Sequence, residues 1–208
     1  QSSLNFNKRF IECEDEWVVF NKTEKDTEFI FGFIYIDPDA GLTFNFEGAF
    51  KIDQNYNFIP NIIEGANIKT RLTPNNVKVA ILPQNKLEEL KLDSIPSWLK
   101  YYKRDTGTSK SLYKLGFLYN SWGESEKALT YLLRAYEKDP KYEGLELELG
   151  FTYNALKEFE KAIGILKLGA ATDSMNCDLY KELSFAEAHL SRMEDASKDA
   201  IKGIQYCT

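Results

Sequence analysis

Two hydrophobic periods divide this chain. In residues 1–92 the apolar positions fall in short runs with two-residue alternation, the spacing of strands. From about Ser109 onward they fall at helical spacing. Leu112, Leu115, Gly116 and Tyr119 stand at i, i+3, i+4 and i+7, and Ala128, Leu132 and Ala135 make a second stripe. Residues 121–124, with Gly123, separate the two stripes. Asp139-Pro140 closes the second, because proline cannot continue a helix.

The same columns return every 34 residues. Leu115-Gly116 becomes Leu149-Gly150 and then Leu183-Ser184. Tyr119 becomes Tyr153, then departs to Glu187. Glu126-Lys127-Ala128 becomes Glu160-Lys161-Ala162 and Glu194-Asp195-Ala196, and Ala135 becomes Gly169 and Gly203. Small residues in the Gly116 and Ala128 columns remove side-chain bulk where two helices cross. A fixed period of this kind predicts stacked helix pairs rather than a single globular core.

Leu112-x-x-Leu115-Gly116-x-x-Tyr119, Ala128-x-x-x-Leu132 and Pro140 resemble the tetratricopeptide repeat pattern over about the last hundred residues. The departures are visible. Leu112, Glu146 and Tyr180 stand where the family prefers tryptophan, and Ser174 replaces the inter-repeat proline. The third copy diverges most, at Ser184, Glu187 and Ala200, as terminal repeats do. The resemblance implies an α-solenoid of three repeats, 109–142, 143–176 and 177–208, that holds a peptide or protein in a concave groove and is not an enzyme. It also implies the groove columns: Phe117, Phe151 and Phe185, with Tyr113, Leu147 and Lys181 beside them, then Asn120 and Asn154, and His189 on the first helix of the third copy. Each ring follows the Leu-Gly pair by one residue, which turns it about 100° from the core stripe. Family members that grip a terminal carboxylate use lysine, asparagine and arginine here, so an aromatic column argues against that subtype. The alternative is that the rings pack on each other or under the N-terminal domain.

The first half predicts an antiparallel β-domain, a sandwich or a partly open barrel, over residues 1–92. Arg9–Cys13 and Trp17–Phe20 are short strand candidates. Thr27–Ile36 is apolar on both faces, with Phe29, Phe31, Phe33 and Tyr35 alternating with Ile30, Gly32, Ile34 and Ile36, as in a central strand covered on both sides. Asp37-Pro38-Asp39-Ala40-Gly41 has the chemistry of a turn. The next strand points Leu42, Phe44, Phe46, Phe50 and Ile52 one way and Thr43, Asn45, Glu47 and Lys51 the other, with Gly48 at a bulge position. A meander runs through Asn57–Ile59, and Thr73-Pro74-Asn75-Asn76 joins Ile68–Leu72 to Val77–Leu82 as a hairpin. Residues 93–108 form a linker with a short helix opened by Pro96 and carrying Trp98, Tyr101 and Tyr102. It reads either as a half-repeat capping the stack or as an aromatic plug between the domains. The whole is a two-domain α+β protein.

Composition narrows the function. A hydrophobic content of 43% with 14% aromatics allows a core in each half. The net charge is −6, with 13 basic against 15 acidic residues through Arg104 and 13 against 17 after it. Without a basic cluster, nucleic acid is not expected as a partner. No apolar run approaches the ~18 residues of a membrane span. Asp53-x-Asn55-x-Asn57 with Glu64 has the oxygen spacing of a calcium loop. Phe58 stands where that loop needs glycine, however, and Pro60 intrudes, so an Asp/Asn-rich hairpin turn is the simpler reading. His189 is the only histidine. No Gly-rich phosphate loop or Cys/His set of zinc spacing is present, paired acids such as Glu88-Glu89 read as solvated faces, and no cofactor is implied. Gln1 in place of methionine reads either as the end left by a removed signal peptide or as a simple trimmed end. A β-rich aromatic domain joined to a short repeat stack resembles exported bacterial tetratricopeptide proteins, which implies export, to a periplasmic, secreted or surface location. Asn21-Lys22-Thr23 is a formal glycosylation sequon. In an oxidising compartment Cys177 and Cys207, at facing ends of two antiparallel helices, would form a disulfide and leave Cys13 free. The runner-up function is an exported ligand- or glycan-binding module read by the β-domain.

Overall fold

A computed structural model describes residues 4–62, 68–103 and 107–207. The chain forms two compact units, 1–104 and 105–208.

Among the described residues the first unit is one open antiparallel sheet of six strands: β1 (Glu16–Phe20), β2 (Phe29–Asp37), β3 (Gly41–Ile52), β4 (Phe58–Ile62), β5 (Lys69–Arg71) and β6 (Val79–Ile81). Its order is β4-β3-β2-β1-β6, with β5 also on β3. Among the described residues no second sheet forms. β2 is central, as its two apolar faces predict. One face packs Phe31, Phe33 and Tyr35 with Trp17, Val19, Phe50 and Leu90. Residues 82–102 cover it, the Trp17 indole donating to the Asp93 carbonyl at 2.8 Å. Trp98 sits 5.1 Å from the Tyr35 ring, and Tyr102 sits 4.7 Å from it. The aromatic side chains of the Pro96 helix thus pack on this sheet. The other face buries Val18, Ile34, Leu42 and Phe44.

Three expectations are corrected here. Residues 10–13 form a 3-10 turn, not a strand. Glu12 reaches back to accept the Arg9 backbone N–H at 2.8 Å, closing the chain on itself, and that bond holds the Glu12 carboxyl below its usual range. In β3, Phe31 faces Gly48 but Gly32 faces Phe46, so Glu47 is an extra residue. This bulge reverses the alternation. Leu42, Phe44 and Phe46 share one face, while Phe50 crosses to the other and joins Phe31 and Phe33. Finally, β5 and β6 do not pair. β5 lies on β3 and β6 on β1. The turn at 73–77 does form, the Val77 N–H donating to Asn75 Oδ1 at 2.8 Å. The two strands have opposite demands, since β5 is wholly exposed and Val79 and Ala80 are wholly buried.

The Asp53 loop is a hairpin turn. Asp53 Oδ1 accepts the Asn55 and Asn57 backbone N–H groups, each at 2.8 Å, which lowers its pKa. Glu64 lies outside the described residues. Glu89, read as part of a solvated acidic face, instead accepts Phe58 N–H and the buried Lys86 ammonium, both at 2.6 Å.

Among the described residues the second unit is six helices: α1 (Ser109–Ser121), α2 (Ser125–Lys138), α3 (Leu145–Ala155), α4 (Phe159–Thr172), α5 (Cys177–His189) and α6 (Met193–Tyr206). They are three antiparallel pairs on the 34-residue step. No helix is long and apolar enough to cross a membrane among the described residues. Each pair turns at the same place. Gly123, Lys157 and Ser191 all have positive φ, at 75°, 62° and 60°. The next residue's N–H then reaches the carbonyls of Tyr119, Tyr153 and Glu187 at 2.8, 2.8 and 2.9 Å. Gly116 and Gly150 are required by the partner helix, since a Cβ on either would stand 2.4 or 2.3 Å from Leu132 or Leu166.

Candidate functional site

The buried columns of the helical unit are those the period assigns. Leu112, Leu149 and Leu183 are buried, as are Ala128, Ala162 and Ala196. Phe117, Phe151 and Phe185, one residue past Gly116, Gly150 and Ser184, are instead 52%, 41% and 46% exposed. Three rings on α1, α3 and α5 thus occupy one repeated column at the surface.

The helices that carry them are locked side by side by asparagine. The Asn120 amide donates to Glu148 Oε2 at 2.9 Å and accepts from the Thr152 hydroxyl at 3.1 Å. Asn154 donates to the Glu182 carbonyl and carboxylate at 3.0 and 2.9 Å. Both asparagines are buried. They therefore stand between helices rather than open to a groove: the amide N–H groups of both are spent there, while Asn154 Oδ1 has no hydrogen-bond partner among the described residues. At the third position stands Ala188. Burial raises the Glu148 pKa, against the lowering by Asn120.

The other site residues fall into two aromatic groups. Tyr113 stacks on Phe117 at 6.5 Å and meets Tyr142 at 5.1 Å. Burial pushes its phenol up to about 12. The second group joins Phe185 to His189 at 4.2 Å and His189 to Phe159 at 4.6 Å. His189 Nδ1 is 2.8 Å from the Phe185 carbonyl oxygen. Lys181 is exposed. Leu147 is half-buried against the α4–α5 core.

Tyr142 and Phe159 were missed by the sequence reading. Tyr142 lies in the column of Thr108 and Asn176, whose side chains cap α1 and α5. A tyrosine cannot cap in that way. Accordingly α3 starts two residues late, after Gly144 at φ 81°, and Tyr142 is left to stack on Tyr113. Gly144 permits this, because a Cβ there would stand 2.8 Å from Tyr113 Oη. Phe159 lies in the column of Ser125 and Met193, which shows no aromatic period to detect.

Cys177 and Cys207 are disulfide-bonded with Cα atoms 5.3 Å apart. Cys13 is free and buried, its thiol pushed up to about 12 by that burial. In the first unit, a cleft of about 320 Å³ lies between the β1–β2 loop and the sheet, lined by Phe20, Lys22, Lys25, Thr27, Ile30 and Ala49.

No protein-family model matches this chain, and no curated protein matches it. Solved structures do resemble it. One is the first TPR domain of the human RPAP3 protein, 22% identical over 48% of this chain and 78% of that one, with a TM-score of 0.45. A crystal structure of MamA is 23% identical over 60% of this chain and 68% of that one, at 0.47. MamA from Desulfovibrio magneticus RS-1 is 19% identical over 60% and 66%, at 0.46. The chain spans 57% of a further MamA mutant structure. At these scores the likeness carries no argument. That the second unit is a tetratricopeptide-like stack rests on its own period, buried columns and repeated turns.

Proposed function

We propose that this protein is a non-enzymatic interaction scaffold that holds an apolar peptide or protein segment along Phe117, Phe151 and Phe185. The observation that carries the proposal is the exposure of three rings in one repeated column, beside columns that are buried. Exposed rings repeated along a stack offer apolar surface to a partner, and aromatic residues supply much of the energy at interaction sites. Tyr113, Leu147, Phe159, Lys181 and His189 border the column and supply mixed apolar and polar edges. The ligand-reader alternative calls for an open aromatic cluster on the β-unit. That unit buries Phe31, Phe33, Tyr35 and Phe50 instead, which favours the scaffold.

The test starts from peptides selected on the full chain from a displayed random library. Phe151→Ala is expected to weaken a selected apolar peptide by about 1 kcal/mol or more, with the melting temperature nearly unchanged. A loss of roughly 3–5 kcal/mol of stability, the cost of truncating a core phenylalanine, would place the ring in the core and end the proposal. The same reading sets the protein in an oxidising, exported location, supported by the Cys177–Cys207 bridge. Three alkylatable thiols in unreduced, denatured native protein would refute it.

A further inference from the structure

We propose that the third repeat contains a proton-responsive joint, in which the Glu187 side chain draws α5 and α6 together when protonated and loosens them when ionised. The joint is visible by comparing columns. In the first repeat Tyr119 stacks on Tyr131 at 5.4 Å across the α1–α2 interface. The second repeat keeps Tyr153 and places Ile165 opposite. The third replaces the pair with two acids, Glu187 and Asp199. Both acids are buried, Glu187 to 1% exposure.

Glu187 is poorly supported as a carboxylate. Neither of its oxygens has a hydrogen-bond partner among the described residues. From α4, Lys167 comes only to 3.5 Å of Oε1, and its own side chain is largely in solvent. From α6, Asp199 and Asp195 add negative charge. Lys202 is engaged with Asp199, at 2.9 Å. A buried charge with only a distant counter-ion, beside a like charge, favours the neutral acid; burial, then Asp199, raises the Glu187 pKa against the lowering by Lys167. The sign follows. With the folded value above the unfolded one, the folded pair holds the proton more tightly. Its stability is full below the ordinary glutamate range and falls as pH rises through the folded value.

Loosening stays local because Cys177 and Cys207 join the start of α5 to the end of α6. The helix is held while its packing weakens, and α5 carries Phe185 and His189 at one end of the ring column. The inference itself rests on the α5–α6 packing and not on what the column binds.

Amide exchange of the full, disulfide-intact chain tests it, with protection factors in α6 read against those in α2. Between about pH 7.5 and pH 4.5, α6 protection is expected to rise relative to α2, by about tenfold for each unit of elevation in Glu187. In Glu187→Gln the relative rise should vanish, with protection already high at the upper pH. Glu187→Tyr, which restores the residue of the other repeats, should behave in the same way. Wild-type α6 protection that tracks α2 across the range, or a rise that persists unchanged in Glu187→Gln, overturns the proposal.

Discussion

In the first two repeats a leucine lies over a glycine, Leu132 over Gly116 and Leu166 over Gly150. In the third, the same columns hold Ala200 and Ser184. Volume has moved from one helix to the other. The exchange leaves α6 burying only Ala196, Asp199 and Gly203, while Met193, Ile201 and Ile204 are exposed. α4, by contrast, buries Ile163 and Leu166. Yet the backbone turn at Ser191 matches those at Gly123 and Lys157 to within 15° in φ. A repeat can therefore keep its path while losing much of its apolar core, provided something else holds the helices. Here that is a covalent bond.

The largest expected effect follows from this contrast. Cys207→Ser opens a loop spanning a 30-residue separation, and should cost the third repeat about 3–4 kcal/mol on the loop-entropy account. Denaturant unfolding of the full chain, read with a helical probe in α6, measures it. An unchanged midpoint would mean that α6 packs as well as α4 does, and the comparison would fail. Next comes the glycine column. Gly150→Ala forces a methyl group against Leu166, and overpacking of this kind costs about 1–3 kcal/mol. Ser184→Ala, opposite only Ala200, should change the melting temperature little. Equal effects at the two sites would show that volume has not been exchanged. The smallest effect tests the shared turn. Lys157→Gly relieves a left-handed residue, a gain partly cancelled by the freedom glycine adds to the unfolded chain. A net stabilisation of about 0.5 kcal/mol is expected by thermal melting, and a clear loss would mean that the lysine side chain supports the turn.

The two units also differ in how legible they are. In the helical unit, partners lie within one repeat or the next, and the same relation is printed three times. The Leu-Gly columns, the turns and the ring column could be read because each copy checks the others. In the β-unit each strand pairing occurs once and over a long separation. Nothing local says that Glu47 is extra, or that Val79–Ile81 belongs on β1 and Lys69–Arg71 on β3. Burial settled that, by taking the apolar strand inward and leaving the charged one at an edge.

From the amino-acid sequence alone came the two domains, the central strand β2, the six helices and the exposed side of α1, α3 and α5, because periodicity is a local property of the chain. Only the tertiary structure turned Asn120 and Asn154 from groove residues into inter-helix clamps, sent Phe50 across the sheet, and drew Tyr142 and Phe159 into the aromatic groups. It also left Glu187 buried without a hydrogen-bond partner among the described residues. Each of these depends on which atoms of a distant segment fill the space opposite, and neither a hydropathy period nor a motif encodes that.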